Sequence, residues 1–231
     1  MTAAQRGALV KICGLKDVQV LKSILHLPID YIGFMFAKSR RQVSAAQAGE
    51  LIRSMREHGS VVPRAVGVFM NPTPEELAAV LREAPLDTVQ LHGSESAELC
   101  RWVRATFGVD VIKVVSIGSE ASNRPLGETL EPYAGSIDML LLDTFEPVVG
   151  GGSGKTFAWD RIPAYLEWAR QANIPLLVAG GLQADNVGEL LGSYAPDGVD
   201  VSSGVETDGV KDVSKITAFV ERVKQHASSS R

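Results

Sequence analysis

Eight short runs of apolar and β-branched residues recur along the chain: LVKIC at 9–13, YIGFMF at 31–36, AVGVFM at 65–70, TVQLHG at 88–93, VIKVVSI at 111–117, MLLLDT at 139–144, PLLVAGG at 175–181 and VDVSSG at 199–204. Each has the length and chemistry of a β-strand. Between most of them lie segments of helical periodicity, such as 44–59, 74–84, 95–107 and 212–227. Strands that are apolar nearly throughout must be buried on both faces, which a parallel sheet covered by helices achieves. Eight strand–helix units close on themselves more naturally than they lie flat. The expected fold class is therefore α/β, a single (β/α)8 TIM barrel. An open, doubly wound sheet is the alternative.

Helix starts agree with this division. Thr73-Pro74-Glu75-Glu76 offers an N-cap, a proline in the first turn and a capping-box acid, and Ser44 with Gln47 repeats the pattern. The crossover at 119–135 is the least helical, because Asn123, Pro125, Gly127 and Pro132 interrupt its periodicity. A loop with a short helix is expected there. No linker or low-complexity tract divides the chain, so residues 1–231 read as one barrel domain with a core of about 9–225 and frayed ends.

Composition excludes several classes of function. A net charge of −4 without an arginine- or lysine-dense block leaves nothing to neutralise a polyphosphate backbone, so nucleic acid is not an expected partner. No apolar run approaches the roughly 18 residues of a membrane helix, and Lys11 breaks the only apolar stretch near the start. Two cysteines, Cys13 and Cys100, cannot build a disulfide framework and have no metal-type spacing. A cytoplasmic location is the expectation. The oligomeric state is not written in the sequence; monomer and homodimer are both open.

In an α/β barrel the chemistry sits at the carboxyl ends of the strands. Here those ends deliver Cys13-Gly14, then Lys38-Ser39-Arg40-Arg41, Asn71, His92-Gly93, Ser116, Asp143-Thr144, Gly180-Gly181 and Ser202-Ser203-Gly204. A cysteine beside Val10 and Ile12 is more often a core residue, but its place after the last apolar residue of a strand makes Cys13 a candidate base, provided its pKa of about 8.5 is lowered. Asp143 follows a wholly apolar run and is either a turn residue or a candidate acid. A thiolate base and a carboxylic acid from different strands are what is needed to move a proton within a substrate without a cofactor. Cys100 lies within a helical segment and is read as packing.

The glycine-rich ends of the seventh and eighth strands stand where barrels often bind phosphate through backbone N–H groups. The run 150–156, GGGSGKT, resembles a nucleotide-binding loop but fails on spacing, since Val149 stands where the first glycine belongs. It is read as a loop over the site or as a connector. One arginine of the Lys38–Arg41 cluster can hold a substrate carboxylate by a bidentate contact. His92 is a candidate for lining the site, and without further ligands at metal spacing no metal centre is expected.

Taken in order from Val10 to about Val223, KICG, GFMF with KSRR, VGVFMN, VQLHG, LLLDT, GGSGKTF, AGGL and VDVSSGVE resemble the phosphoribosylanthranilate isomerases of tryptophan biosynthesis. The resemblance implies a cofactor-independent Amadori rearrangement of a small phosphosugar, N-(5-phosphoribosyl)anthranilate, by a (β/α)8 barrel. It also implies that Asp143 is the general acid and Cys13 the general base. Arg41, closing KSRR, matches the arginine that holds the anthranilate carboxylate, and Gly154, Gly180, Gly181, Ser203 and Gly204 match the phosphate site. Two related barrel enzymes are less similar: a histidine-pathway sugar isomerase is expected to carry aspartate at Cys13, and an indole-glycerol-phosphate synthase a lysine and glutamates at strand ends. A non-catalytic phosphosugar-binding barrel remains a further alternative.

Overall fold

The computed structural model describes residues 7–59, 61–117, 126–143 and 159–229. Its strands are β1 (Leu9–Cys13), β2 (Tyr31–Met35), β3 (Arg64–Phe69), β4 (Thr88–Leu91), β5 (Asp110–Ser116), β6 (Met139–Asp143), β7 (Leu176–Ala179) and β8 (Gly198–Val201). All neighbours pair in parallel, and β8 returns to β1 with Lys11 opposite Asp200. That closing pair excludes the open sheet.

The helices are α1 (Val18–Ile24), α2 (Ala45–Arg56), α3 (Pro74–Glu83), α4 (Ala97–Phe107), α5 (Leu126–Leu130), α6 (Ile162–Gln171), α7 (Ala184–Tyr194) and α8 (Val213–Ser229). Both anticipated capping boxes form, Ser44 with Gln47 and Thr73 with Glu76, each satisfying two backbone donors for about 1 kcal/mol. Among its described residues, the irregular crossover contains α5 and a 3-10 turn at Glu131–Tyr133. Residues 118–125 and 144–158, the latter containing Gly154 and the glycine run, lie outside the described residues. No described helix is long and apolar enough to cross a membrane.

Several strands stop before the apolar run does. β7 ends at Ala179 because Gly180 and Gly181 adopt φ of 99° and 63°, which cannot continue a strand. One element escapes the sequence altogether: a two-residue-per-strand hairpin, β9 (Glu206–Thr207) with β10 (Val210–Lys211), between β8 and α8. Its strands are too short to produce a period-2 pattern.

Strand alternation splits the core in two. Val10, Ile12, Ile32, Phe34, Leu140, Leu142, Val199 and Val201 face outward into one large cluster with the helices. The alternate residues Leu9, Tyr31, Val66, Ile112, Val114, Met139, Leu141, Leu177 and Ala179 fill the barrel interior as a second cluster. Burying such side chains contributes about 1.5–3 kcal/mol each. At the opposite end from the strand C-termini, an aspartate precedes every even strand and accepts a backbone N–H of the odd strand before it. These pairs are Asp30 with Val10, Asp87 with Ala65, Asp138 with Val111 and Asp197 with Leu176, at 2.7–2.8 Å. The floor of the barrel is thereby tied in a repeating pattern, while polar interior residues collect towards the other end.

Candidate active site

A cavity of about 250 Å³ opens at the C-terminal end of the strands, bounded by Cys13, Arg41, Gln90, His92, Asp143 and the glycine-rich ends of β7 and β8. The positions follow from strand parity. β1 turns Lys11 and Cys13 inward because Val10 and Ile12 point to the helices. β4 does the same for Thr88 and Gln90, and β6 brings Asp143 inward two residues after Leu141.

Cys13 packs beside Gly33 of β2, its register partner. A Cβ at residue 33 would lie 2.8 Å from the Cys13 sulfur, so only glycine leaves the thiol its place. Burial pushes the Cys13 thiol up from its ordinary value, against the pull of Lys11 and Lys211. Lys11 is wholly buried and donates to Asp200 at 3.0 Å. Although burial opposes its charge, Asp200 and Cys13 together hold its pKa above the usual value.

Across the barrel, His92 Nε2 lies 3.5 Å from Asp143 Oδ2. Its Nδ1 is 3.3 Å from the amide nitrogen of buried Gln90. With that amide donating, Nδ1 accepts and the ring proton sits on Nε2, facing the carboxylate.

Arg41 and Arg40 part company. Arg41 lines the cavity with 18% of its side chain exposed, whereas Arg40 is 59% exposed and outside it. Arg41 donates from Nε and Nη2 to the two oxygens of Glu206, at 2.6 and 2.9 Å. Arg40 and Lys211 add bonds of 2.6 and 2.9 Å to the same carboxylate. Burial alone would raise the Glu206 pKa, but the hydrogen bonds and charges of Arg41 and Lys211 outweigh it and hold the carboxyl down at about 2. Lys211 also donates to the Ser202 carbonyl at 2.8 Å, joining the hairpin to the end of β8.

Gly180, Gly181, Ser203 and Gly204, at and just beyond the ends of β7 and β8, line the same cavity. Gly204 is packed so closely on the Leu182 carbonyl that any side chain there would collide with it. Of the candidate residues, Cys13, Arg41, His92, Asp143, Gly180, Gly181, Ser203 and Gly204 thus share one cavity wall. Cys100 is buried in the outer core. Lys11, Gln90, Asp200, Glu206 and Lys211 were not anticipated from the sequence. The available signal was a charged or amide residue inside an otherwise apolar strand, as in VKI and VDV. Such residues are rarely buried without a partner.

A family model described as N-(5'phosphoribosyl)anthranilate (PRA) isomerase matches residues 10–222. The N-(5'-phosphoribosyl)anthranilate isomerase of Brevibacillus brevis is 47% identical over 221 residues, covering 96% of both chains. The solved phosphoribosyl anthranilate isomerase of Thermotoga maritima superposes with a TM-score of 0.76 at 35% identity, covering 94% of this chain and 99% of that one. A further solved phosphoribosyl anthranilate isomerase, 32% identical with a TM-score of 0.73 over 94% and 99% of the two chains, holds reduced 1-(o-carboxyphenylamino)-1-deoxyribulose 5-phosphate.

Proposed function

Since the chain belongs to the N-(5'-phosphoribosyl)anthranilate isomerase family, we propose that it converts N-(5-phosphoribosyl)anthranilate to 1-(2-carboxyphenylamino)-1-deoxyribulose 5-phosphate, a step of tryptophan biosynthesis, with Asp143 as general acid and Cys13 as general base. The observation that carries the assignment of roles is the cavity itself. A thiol at the end of β1 and a carboxyl at the end of β6 face one cavity of about 250 Å³.

Asp143 gives its proton to the furanose ring oxygen while the anilino nitrogen lone pair moves towards C1, breaking the C1–O bond and leaving a protonated Schiff base. The thiolate of Cys13 then takes the proton from C2. The C2–H electrons form the C1–C2 double bond and those of the C=N bond return to nitrogen. The resulting enolamine tautomerises to the ketone by losing the enol proton and gaining one at C1. Product and substrate are isomers, and no redox partner enters the balance. His92 Nε2–H stabilises the Asp143 carboxylate left after the first transfer.

Arg41 holds the anthranilate carboxylate through donors not spent on Glu206, since a guanidinium carries five N–H groups and Glu206 takes two of them. Gly180, Gly181, Ser203 and Gly204, with Gly154, bind the phosphate through backbone N–H groups brought close by the missing side chains.

The test is an assay with freshly prepared phosphoribosylanthranilate, following loss of its fluorescence, on wild type, Cys13→Ser and Asp143→Asn. Each variant is expected to lose about 10²–10⁴-fold in kcat, the usual contribution of a positioned acid or base. An inactive wild type, or near-full rates in both variants, overturns the assignment.

A further inference from the structure

Lys11 is a lysine where the fold has least use for one. It is among the largest fully buried side chains of the protein, with 0% of its surface exposed, inside a barrel otherwise filled by residues such as Val66, Leu141 and Leu177. Burying an ammonium costs several kcal/mol, and a buried ion pair is often no more stable than apolar residues of the same volume. Stability therefore gives no reason to keep a charge here. Asp200, in register on the neighbouring strand, takes a hydrogen bond at 3.0 Å, one of the three that an ammonium can donate. The thiol of Cys13 stands two residues along the same inward face of β1, within electrostatic reach of the ammonium.

We propose that Lys11 is a positioning residue for the reaction: its buried ammonium, anchored by Asp200, is the charge against which the Cys13 thiolate forms. This deepens the assignment above and rests on Cys13 as the base. The thiol proton leaves to water through the cavity before substrate binds, and no electron changes owner. Lys11 then opposes the cost of a desolvated anion at the position where the C2 proton must be received.

The charges facing Cys13 from each side are consistent with that division of labour. Lys11 on its own strand and Lys211 on β10 favour the thiolate, and Asp200 on β8 disfavours it. Arg41, from the segment after β2, is a further cation within range. Gly33 of β2, directly opposite, contributes no charge. Lys11 is the strongest of the favourable influences and the only one wholly buried. Asp200 has two opposed effects: it repels the thiolate directly and keeps the ammonium in position.

The experiment measures the pH dependence of Cys13 alkylation by iodoacetamide, with the Cys13 peptide quantified by mass spectrometry so that Cys100 does not contribute, beside pH profiles of kcat and KM. Lys11→Met is expected to move the alkylation midpoint up by about one pH unit or more. Its kcat near neutrality should fall about tenfold, with KM little changed and the rate recovering as pH is raised. A lysine that only fills space would lower the melting temperature and leave the midpoint in place. Should Lys11→Met leave Asp200 uncompensated and fail to fold, the double variant Lys11→Met/Asp200→Asn removes the pair together, and its midpoint is expected to rise in the same direction. A midpoint within about 0.3 unit of wild type in the folded variant overturns the proposal, whatever the rate. A Cys13→Ser enzyme of near-normal rate overturns instead the base role of Cys13, while the wild-type and Lys11→Met alkylation curves still report whether Lys11 and the thiol are coupled.

Discussion

Glu206 accepts the Nε and Nη2 hydrogens of Arg41 at 2.6 and 2.9 Å, a fork-to-fork contact that joins the segment after β2 to the hairpin after β8. The guanidinium plane is thus set before any substrate arrives, which matters because a side chain with four rotatable torsions loses much entropy on being ordered. Glu206→Gln keeps the volume but loses the charge and half of the fork. A KM increase of about tenfold, equivalent to roughly 1.4 kcal/mol, is expected with a smaller change in kcat. Steady-state kinetics on the purified variant decide it, and an unchanged KM sinks the role.

The same carboxylate predicts a pH dependence of stability. Its folded pKa of about 2 lies below the unfolded value of about 4.3. The contribution is therefore complete above that unfolded value and is lost as pH falls from about 4 through about 2. At roughly 1.4 kcal/mol per unit, it is on the order of 3 kcal/mol at neutral pH. Urea unfolding at pH 7, 4 and 2.5 should show wild type losing its advantage over Glu206→Gln across that window. A constant difference between the two proteins would show that the carboxylate's charge is not responsible.

At Gly33 the prediction concerns fit. Because a Cβ there would approach the Cys13 sulfur to 2.8 Å and its Cα to 3.2 Å, Gly33→Ala must displace the thiol from its place at the end of β1. Overpacking of this kind costs about 1–3 kcal/mol. The fall in kcat is expected to exceed tenfold in protein that still gives a native circular dichroism spectrum. Wild-type kcat in a folded Gly33→Ala protein would mean that the sulfur's position is not critical.

The barrel was legible because its signal is redundant: eight apolar runs with helical segments between them admit few arrangements, and local errors such as the early end of β7 at Ala179 leave the count intact. Cys13, Asp143 and the glycine pairs were legible for a related reason, since strand ends become cavity wall when the barrel closes. What sequence order does not reveal is lateral pairing. Lys11 meets Asp200 only because β1 and β8, 189 residues apart, are neighbours in the closed ring. Arg41 meets Glu206 across 165 residues, through a hairpin with no pattern of its own. Arg40 and Arg41 are chemically identical, and only the turn between β2 and α2 decides which of them faces the cavity.

A second buried pair behaves differently from Lys11 and Asp200. Lys113 leaves β5 on the outward face and donates to Glu95 at 2.9 Å, with 3% and 1% of the two side chains exposed. Glu95 in turn accepts the backbone N–H groups of Asn71 and Gly93, while Lys113 donates to the Gly93 carbonyl at 2.7 Å. The pair clamps the loops after β3 and β4. Glu95→Ala should cost about 3–5 kcal/mol by stranding the ammonium, seen as a lower denaturant midpoint, and removing both charges as Glu95→Leu/Lys113→Met should recover part of that loss. A single variant as stable as wild type would contradict the clamp.

The final prediction separates a proton's position from its presence. The amide nitrogen of Gln90 meets Nδ1 of His92 at 3.3 Å, which leaves Nε2–H directed at Asp143 Oδ2, 3.5 Å away. Gln90→Leu removes the donor, so both ring tautomers become accessible and the one with Nε2 unprotonated presents a lone pair to a carboxylate. His92→Ala removes the contact entirely. If Nε2–H stabilises the carboxylate formed when Asp143 gives up its proton, both changes lower kcat, His92→Ala by about 10–100-fold and Gln90→Leu by less, with KM changing little in either. Nitrogen-15 spectra of the His92 ring should show one tautomer in wild type and a mixture in Gln90→Leu. A single unchanged tautomer in that variant would mean that contacts other than Gln90 hold the ring, and the kinetic ordering would then have no basis.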